Sequence, residues 1–271
     1  MPLYLIIILA VAQGISEPLP ISSSGHLLLI HNLFGDGGVD ACWQTNRALD
    51  VAMHIGTLFS VLLYFRRDVL AIIKGIGNTQ SDGFRLAKHV AIASVPVLCV
   101  GFVLTLWEPA LLCLIEVAAW MLVIFGILLG LVDKIAPAEK QIGDMTWKNA
   151  LFIGLAQSLA LVPGTSRSGV TITAARWLGY KRTEAAHFSL LLAIIGISAA
   201  GAVTALEMIV ERDTSLGFDA LIAAFIAFIV GYGAIAFMMK WLQKASFMPF
   251  ALYRVLLGGG LLVAIYSGWL A

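Results

Sequence analysis

Charge is what this sequence has least of. Asp, Glu, Lys and Arg make up 12% of it, against about 25% in a soluble domain. The net charge of +1 gives no basis for nucleic-acid binding. Cysteine is nearly absent too. Cys42, Cys99 and Cys113 are too few and too scattered for a disulfide framework or a zinc site, and Cys99 and Cys113 read as small hydrophobes within apolar runs. No GxxxxGK[ST] loop occurs, so chemistry on a phosphate ester is expected to run downhill without ATP. No basic segment precedes the first apolar run and no small-residue cleavage site follows it, so that run is expected to stay in the mature chain.

The rest of the chain is oil. Hydrophobic residues make up 60% and the mean hydropathy is +0.95, which predicts an integral membrane protein. Apolar runs close to the ~20 residues that span hydrocarbon fall near 49–65, 89–107, 111–132, 187–210, 218–239 and 250–270. The expected fold class is an all-α polytopic membrane protein. It would have two inverted-topology repeats, about six full transmembrane helices and two re-entrant helix–loop–helix hairpins.

The repeat is visible as words. "AQGISEPLPISSSGH" begins at Ala12 and "AQSLALVPGTSRSGV" at Ala156, a shift of 144. Ala12, Gln13, Ser22, Ser24 and Gly25 then meet Ala156, Gln157, Ser166, Ser168 and Gly169. "FSVLL" at Phe59 echoes "FSLLL" at Phe188 at a shift of 129, so the first half carries about 15 extra residues, assigned to the loop from Gly35 to Arg47. Repeat one is expected over roughly 1–132 with its hairpin at 3–34, and repeat two over 148–271 with its hairpin at 148–178. Each polar stretch is flanked by apolar runs too short to cross. Such paired, broken segments mark a midplane site in inverted-repeat membrane proteins, because polar backbone at that depth must be enclosed by protein or water.

The basic residues test this topology. With hairpins that re-enter and six runs that cross, segments 66–88, 133–148, 176–182 and 240–244 share one face. They hold thirteen of the seventeen Lys and Arg, while Arg47 and Arg212 lie opposite. The rich face is expected to be cytoplasmic, with both termini and the site's opening on the outer side.

Ionisable residues at membrane depth are costly, so they are functional candidates. Arg167, in "PGTSRSG", has the planar fork that grips phosphate oxygens. Ser166, Ser168 and Gly169 open the half-helix beyond it, where free N–H groups favour anions. Facing it, Glu17 and His26 are an acid and a base in either order, and Ser22, Ser23, Ser24 and Gly25 supply hydroxyls and a turn. A clamp, a nucleophile and proton-handling groups are the requirements for cleaving a phosphoanhydride. A carrier of lipid phosphates or anions, without hydrolysis, is the rival reading; it needs the clamp but not the Glu–Ser–His set. Arg254 is expected to snorkel to the cytoplasmic interface, Asp50 and His54 to stabilise a helix end, and Gly258, Gly259 and Gly260 to permit close helix packing.

"QGISEPLPISSSGH" resembles the first signature of the undecaprenyl-diphosphate phosphatases, the bacitracin-resistance family, roughly [E/Q]GxxEFLPxSSxGH. "PGTSRSG" resembles their second, PGxSRSG, and "FSLLLA" and "FMPFALYR" resemble further family stretches. The resemblance covers essentially the whole chain. It implies hydrolysis of undecaprenyl diphosphate, a polyprenyl diphosphate lipid, to the monophosphate that carries cell-wall precursors in the bacterial inner membrane, and with it bacitracin resistance. By position it implies Glu17 as an essential acid, Ser23 as the serine discussed as nucleophile, His26 as the catalytic histidine and Arg167 as the diphosphate-binding arginine. It also implies a divalent cation, Mg²⁺ or Ca²⁺. Gln13 stands where many members have Glu, which removes one carboxylate from that ion's surroundings and leaves Glu17 to help hold it. Membrane lipid is the expected environment and a homodimer is among the expected assemblies. The acid-phosphatase-type lipid phosphatases are set aside, since neither KxxxxxxRP nor SRxxxxxHxxxD occurs.

Overall fold

The structure, a computed structural model, describes residues 2–34, 47–107, 112, 114–211 and 217–269. Most of the expected loop (residues 35–46, with Cys42), Cys113 and the Arg212–Asp213 break lie outside the described residues. Helices are the building material, and prolines lie at the breaks of both hairpins, while Pro96 sits inside a continuous helix.

Helix α1 (Leu3–Ser16) is 14 residues long, about 21 Å at 1.5 Å per residue, too short for a ~30 Å hydrocarbon layer. It ends before Pro18 and Pro20: Glu17 still has helical angles, but proline has no N–H to continue the ladder. The chain turns through residues 17–22 and re-forms as α2 (Ser23–Phe34). The second hairpin repeats the design. α7 (Trp147–Gln157) starts on the side chain of Thr146, which accepts from the Asn149 N–H. It tightens into a 3₁₀ turn (Ser158–Leu161), breaks at Pro163, and resumes as α8 (Arg167–Trp177). The two helix–loop–helix segments thus span residues 3–34 and 147–177.

Between and after them run α3 (Arg47–Tyr64), the short α4 (Arg66–Gly75), α5 (Asp82–Trp107), α6 (Ile115–Ile135), α9 (Arg182–Glu211), α10 (Phe218–Trp241) and α11 (Met248–Tyr266). Five of these, α5, α6, α9, α10 and α11, are long and apolar enough to cross a membrane; α3 is apolar but shorter. The helices differ from the apolar runs at their ends. α5 and α9 begin several residues earlier, at Asp82 and Arg182, because the helix continues through polar residues that the hydrophobic window omits. Segment 66–88 is not all loop: α4, with Arg66, Arg67 and Lys74, packs back on α5.

The outside of this bundle is apolar. Phe102, Leu106, Phe225 and Val263 are each about two-thirds exposed, which suits lipid rather than water. Inside, α1 packs on α10 and α7 packs on α5, so each hairpin's first helix docks on a long helix of the other half of the chain. α6 and α11 pair along their length. Gly258 allows this: a Cβ there would sit 2.6 Å from the carbonyl oxygen of Ala119. Gly259 and Gly260, expected to help, face open space. One apolar core joins α3, α8, α9, α10 and α11 through residues such as Ile172, Phe188, Leu191 and Phe247. A smaller one joins α1, α3 and α10 through Leu9, Met53 and Ala223.

A polar knot ties the end of the bundle where α6 stops. Asp133 is 2% exposed and accepts from Arg176 Nε at 3.0 Å, Arg182 Nε at 2.8 Å and the backbone N–H of Phe247 at 2.9 Å. Arg176 also donates to the carbonyls of Pro137 and Ala136. Four elements, α6, α8, α9 and α11, converge on this carboxylate. The sequence places Arg176 among the charges of the basic face; it is 1% exposed and belongs to the interior.

Candidate active site

The two hairpin loops meet tip to tip, and the repeat holds down to single atoms. Ser22 and Ser166, 144 residues apart, are the two non-glycine residues with positive φ among the described residues, at 75° and 71°. That conformation costs a non-glycine residue on the order of 1–3 kcal/mol. Each is retained by the same device: the Ser22 Oγ accepts the Gly25 N–H at 3.3 Å and the Ser166 Oγ accepts the Gly169 N–H at 3.1 Å. These are helix N-caps. The loops also hold each other. The Ser168 hydroxyl donates to the carbonyl of Leu19 at 2.9 Å, and the Gly164 N–H donates to the Ser24 Oγ at 3.4 Å.

The residue after each cap, Ser23 in one loop and Arg167 in the other, is the first of its half-helix. Both reach the same carboxylate. Glu17 Oε2 accepts the Ser23 hydroxyl at 2.6 Å, and Glu17 Oε1 accepts from Arg167 Nη2 at 3.1 Å. Gln13 Nε2 lies 3.3 Å from Oε2 and His54 Nε2 3.7 Å from it. Arg167 is fixed from behind by Nη1 donating to the carbonyl of Ser189 at 3.0 Å. The Ser189 hydroxyl is paired with Thr171 at 2.7 Å. Arg167 and Ser23 keep partial exposure, while Glu17 is 9% exposed. The N–H groups of Ser23 and Ser24 donate to no backbone or side-chain acceptor among the described residues, so the α2 N-terminus offers free donors beside the guanidinium.

His26, a turn further along α2, is held at both nitrogens. Nδ1 is 2.7 Å from the carbonyl of Ser22, and Nε2 is 2.6 Å from the Tyr253 hydroxyl, the two rings lying 3° from parallel. On the far side of Glu17, His54 Nδ1 bonds the Asp50 carbonyl at 2.8 Å, which leaves its Nε2 pointing at the carboxylate.

Glu17, Ser23, His26 and Arg167 therefore gather around the hairpin tips, as the sequence suggests. Several expected phosphate contacts do not stand free. Ser22, Ser166, Ser168, Gly25 and Gly169 use their hydroxyls or N–H groups to cap helices and to join the loops, because a polar loop enclosed by protein must satisfy its own donors. Ser24 alone of that set is exposed. Arg254 is not at an interface. It is fully buried, and its Nη2 donates to the carbonyls of Gly164 at 3.0 Å and Thr165 at 2.7 Å. His54 is more than a helix-end residue, since it faces Glu17. Sequence reasoning missed Tyr253 as a site residue; a tyrosine beside an arginine in an apolar helix was the available signal.

The donor set argues against a cation cage made by protein alone. Both oxygens of Glu17 already accept hydrogen bonds, Gln13 presents its amide N–H rather than a carboxylate, and no three His, Cys, Asp or Glu side chains converge as ligands among the described residues.

A family model described as bacitracin resistance protein BacA matches residues 6–260. An undecaprenyl-diphosphatase of Dinoroseobacter shibae is 43% identical over 274 residues, covering 98% of this chain and all of that protein. One from Jannaschia is 42% identical over 275 residues with the same coverage. One from Hahella chejuensis is 42% identical over 267 residues, covering 96% and 97%. With a family model matched over residues 6–260 and relatives at 42–43% identity covered almost end to end, this chain belongs to the bacitracin resistance protein BacA family.

Proposed function

We propose that the meeting point of the hairpin tips is where this chain hydrolyses undecaprenyl diphosphate to undecaprenyl phosphate and inorganic phosphate, the reaction its relatives are named for. One observation carries the assignment of roles: Glu17 binds Ser23 with one oxygen and Arg167 with the other. An attacking hydroxyl, its proton acceptor and an anion clamp thus belong to one hydrogen-bonded set.

Arg167 holds the diphosphate through the N–H groups not engaged by Glu17 and Ser189, aided by the open N–H groups of Ser23 and Ser24. Ser23, or a water in its place, attacks the terminal phosphorus. Glu17 takes the proton, and the bond from that phosphorus to the bridging oxygen breaks. Undecaprenyl phosphate leaves with the electron pair, and the guanidinium offsets the charge that develops. His26, held by Tyr253, shares the proton transfers. If Ser23 attacks, a phosphoserine forms and water cleaves it in a second step. A divalent cation, Mg²⁺ or Ca²⁺, would be carried on the diphosphate's own oxygens, with Glu17 as its one protein carboxylate. The charge asymmetry of the loops supports an orientation with the basic face in the cytoplasm of a bacterial inner membrane. The two halves then form inverted repeats, and the polyprenyl diphosphate reaches the site from the outer leaflet.

The test is phosphate release from undecaprenyl diphosphate by the detergent-purified protein, with Mg²⁺ and with chelator. Wild type should release phosphate, and Arg167→Ala and His26→Ala should each lose on the order of 10² or more of the rate. No release by folded wild type, with transport of lipid phosphate in proteoliposomes, would replace the hydrolase with a carrier.

A further inference from the structure

Two neighbouring residues of α11 touch both halves of the site from outside it. Tyr253 sends its hydroxyl to Nε2 of His26, 227 residues away, at 2.6 Å. Arg254, the next residue, is 0% exposed and sends Nη2 to three carbonyls: Thr165 at 2.7 Å, Gly164 at 3.0 Å and Met121 at 3.4 Å. Gly164 has φ +86° and lies so close to Ala118 that a Cβ would collide with its carbonyl. Ser166, two residues on, has φ 71°. The guanidinium thus grips the peptide groups of the strained turn from which Arg167 emerges. It does so through carbonyls alone: among the described residues its Nε and Nη1 have no hydrogen-bond partner. Burying a cation whole, with the three N–H bonds of Nε and Nη1 unmatched, costs free energy that a merely structural contact between helices would not justify.

We infer that Tyr253 and Arg254 are positioning residues. Tyr253 fixes the ring of His26 in the first hairpin, Arg254 fixes the 164–166 turn and so Arg167 in the second, and their adjacency on one helix sets the spacing between the two halves. Each acts through the residue it holds. A tyrosine hydroxyl bonded to Nε2 also leaves Nδ1 to the Ser22 carbonyl, so the imidazole is held at both edges and cannot rotate about its axis. In the second hairpin the N–H groups of the turn are engaged, Thr165 with the Val162 carbonyl at 3.2 Å and Gly164 with Ser24 Oγ at 3.4 Å, while the Gly164 and Thr165 carbonyls are held by Arg254. Those carbonyls and that of Met121 all meet Nη2, the far end of the side chain, and a lysine ammonium ends one bond short of that position.

The inference rests on the catalytic roles proposed for His26 and Arg167, and the experiment separates the two. Phosphate release is measured for Tyr253→Phe, His26→Ala and the double variant, and for Arg254→Lys, Arg167→Ala and that double variant, with melting temperatures in detergent. Tyr253→Phe keeps the ring and should melt with wild type, yet lose roughly tenfold in kcat with KM unchanged. In the His26→Ala background the same change should cost nothing further, as expected of a residue that acts through its partner. Arg254→Lys should likewise lose roughly tenfold or more, and add nothing once Arg167 is alanine. Tyr253→Phe at wild-type kcat, or losses that multiply in the double variants, would overturn the inference while leaving the hydrolase reading intact. Full activity in His26→Ala would instead remove the reading on which it stands. Should Arg254→Lys fail to fold, the Tyr253 cycle decides alone.

Discussion

Glu17 and Asp133 are both buried carboxylates that receive arginines, yet they are built for opposite ends. Asp133 takes two arginines and a backbone N–H at 2.8–3.0 Å. Its principal partner Arg176 is in turn satisfied by carbonyls. That knot is closed. Glu17 takes one arginine, one serine hydroxyl, the edge of a glutamine amide and, at a longer distance, a histidine. Its arginine is 18% exposed and its histidine 33%. A saturated cluster at the junction of four elements fixes them. A cluster with movable protons, spare donors and partial access can exchange partners with a substrate. Burial of charge by itself does not separate structure from function; the degree of saturation does.

Substitutions can break that contrast if it is wrong. The largest effect belongs to the closed knot. Asp133→Ala leaves Arg176 buried and unpaired, which costs about 3–5 kcal/mol. The expected outcome is a steep fall in melting temperature and in yield, measured in detergent, whatever the activity of the surviving protein. Glu17→Gln should do the reverse. It keeps the shape, and the melting temperature should stay near that of wild type, while phosphate release falls on the order of 10²-fold because Ser23 loses its proton acceptor. If Glu17→Gln melted like Asp133→Ala, the distinction between the clusters would collapse. The finest probe is Gln13→Glu, which puts a second carboxylate next to Glu17. Like charges that close need a cation between them. The response of phosphate release to chelator should change, with a several-fold higher chelator concentration for half-inhibition. An unchanged titration would mean that the diphosphate alone holds the ion.

Much of this architecture is written locally. Pro18, Pro20 and Pro163 break apolar runs that are already too short to cross, and Ser22 and Ser166 cap the half-helices beyond them. These effects act between residues a few positions apart, so the hairpins and the convergence of Glu17, Ser23, His26 and Arg167 are legible from the order of residues. What the order of residues leaves open is the partner of each remaining serine hydroxyl. A hydroxyl at a helix start can face a ligand or its own backbone, and enclosure at membrane depth decides for the backbone wherever no substrate-facing surface remains.

The sequence by itself determined that the chain lies in a membrane, where its helices break and which two loops hold the polar and ionisable residues that meet, because hydropathy, proline and capping act over short stretches. The tertiary structure decided which way each long helix turns. In α6 and along most of α11 apolar residues surround the helix, so no broad polar face announces its rotation. Only packing brings His54 to Glu17, Tyr253 to His26, Arg254 to the Gly164 carbonyl and Arg176 to Asp133. Those four contacts join residues between 37 and 227 positions apart, and contacts of that reach are fixed by how the helices pack.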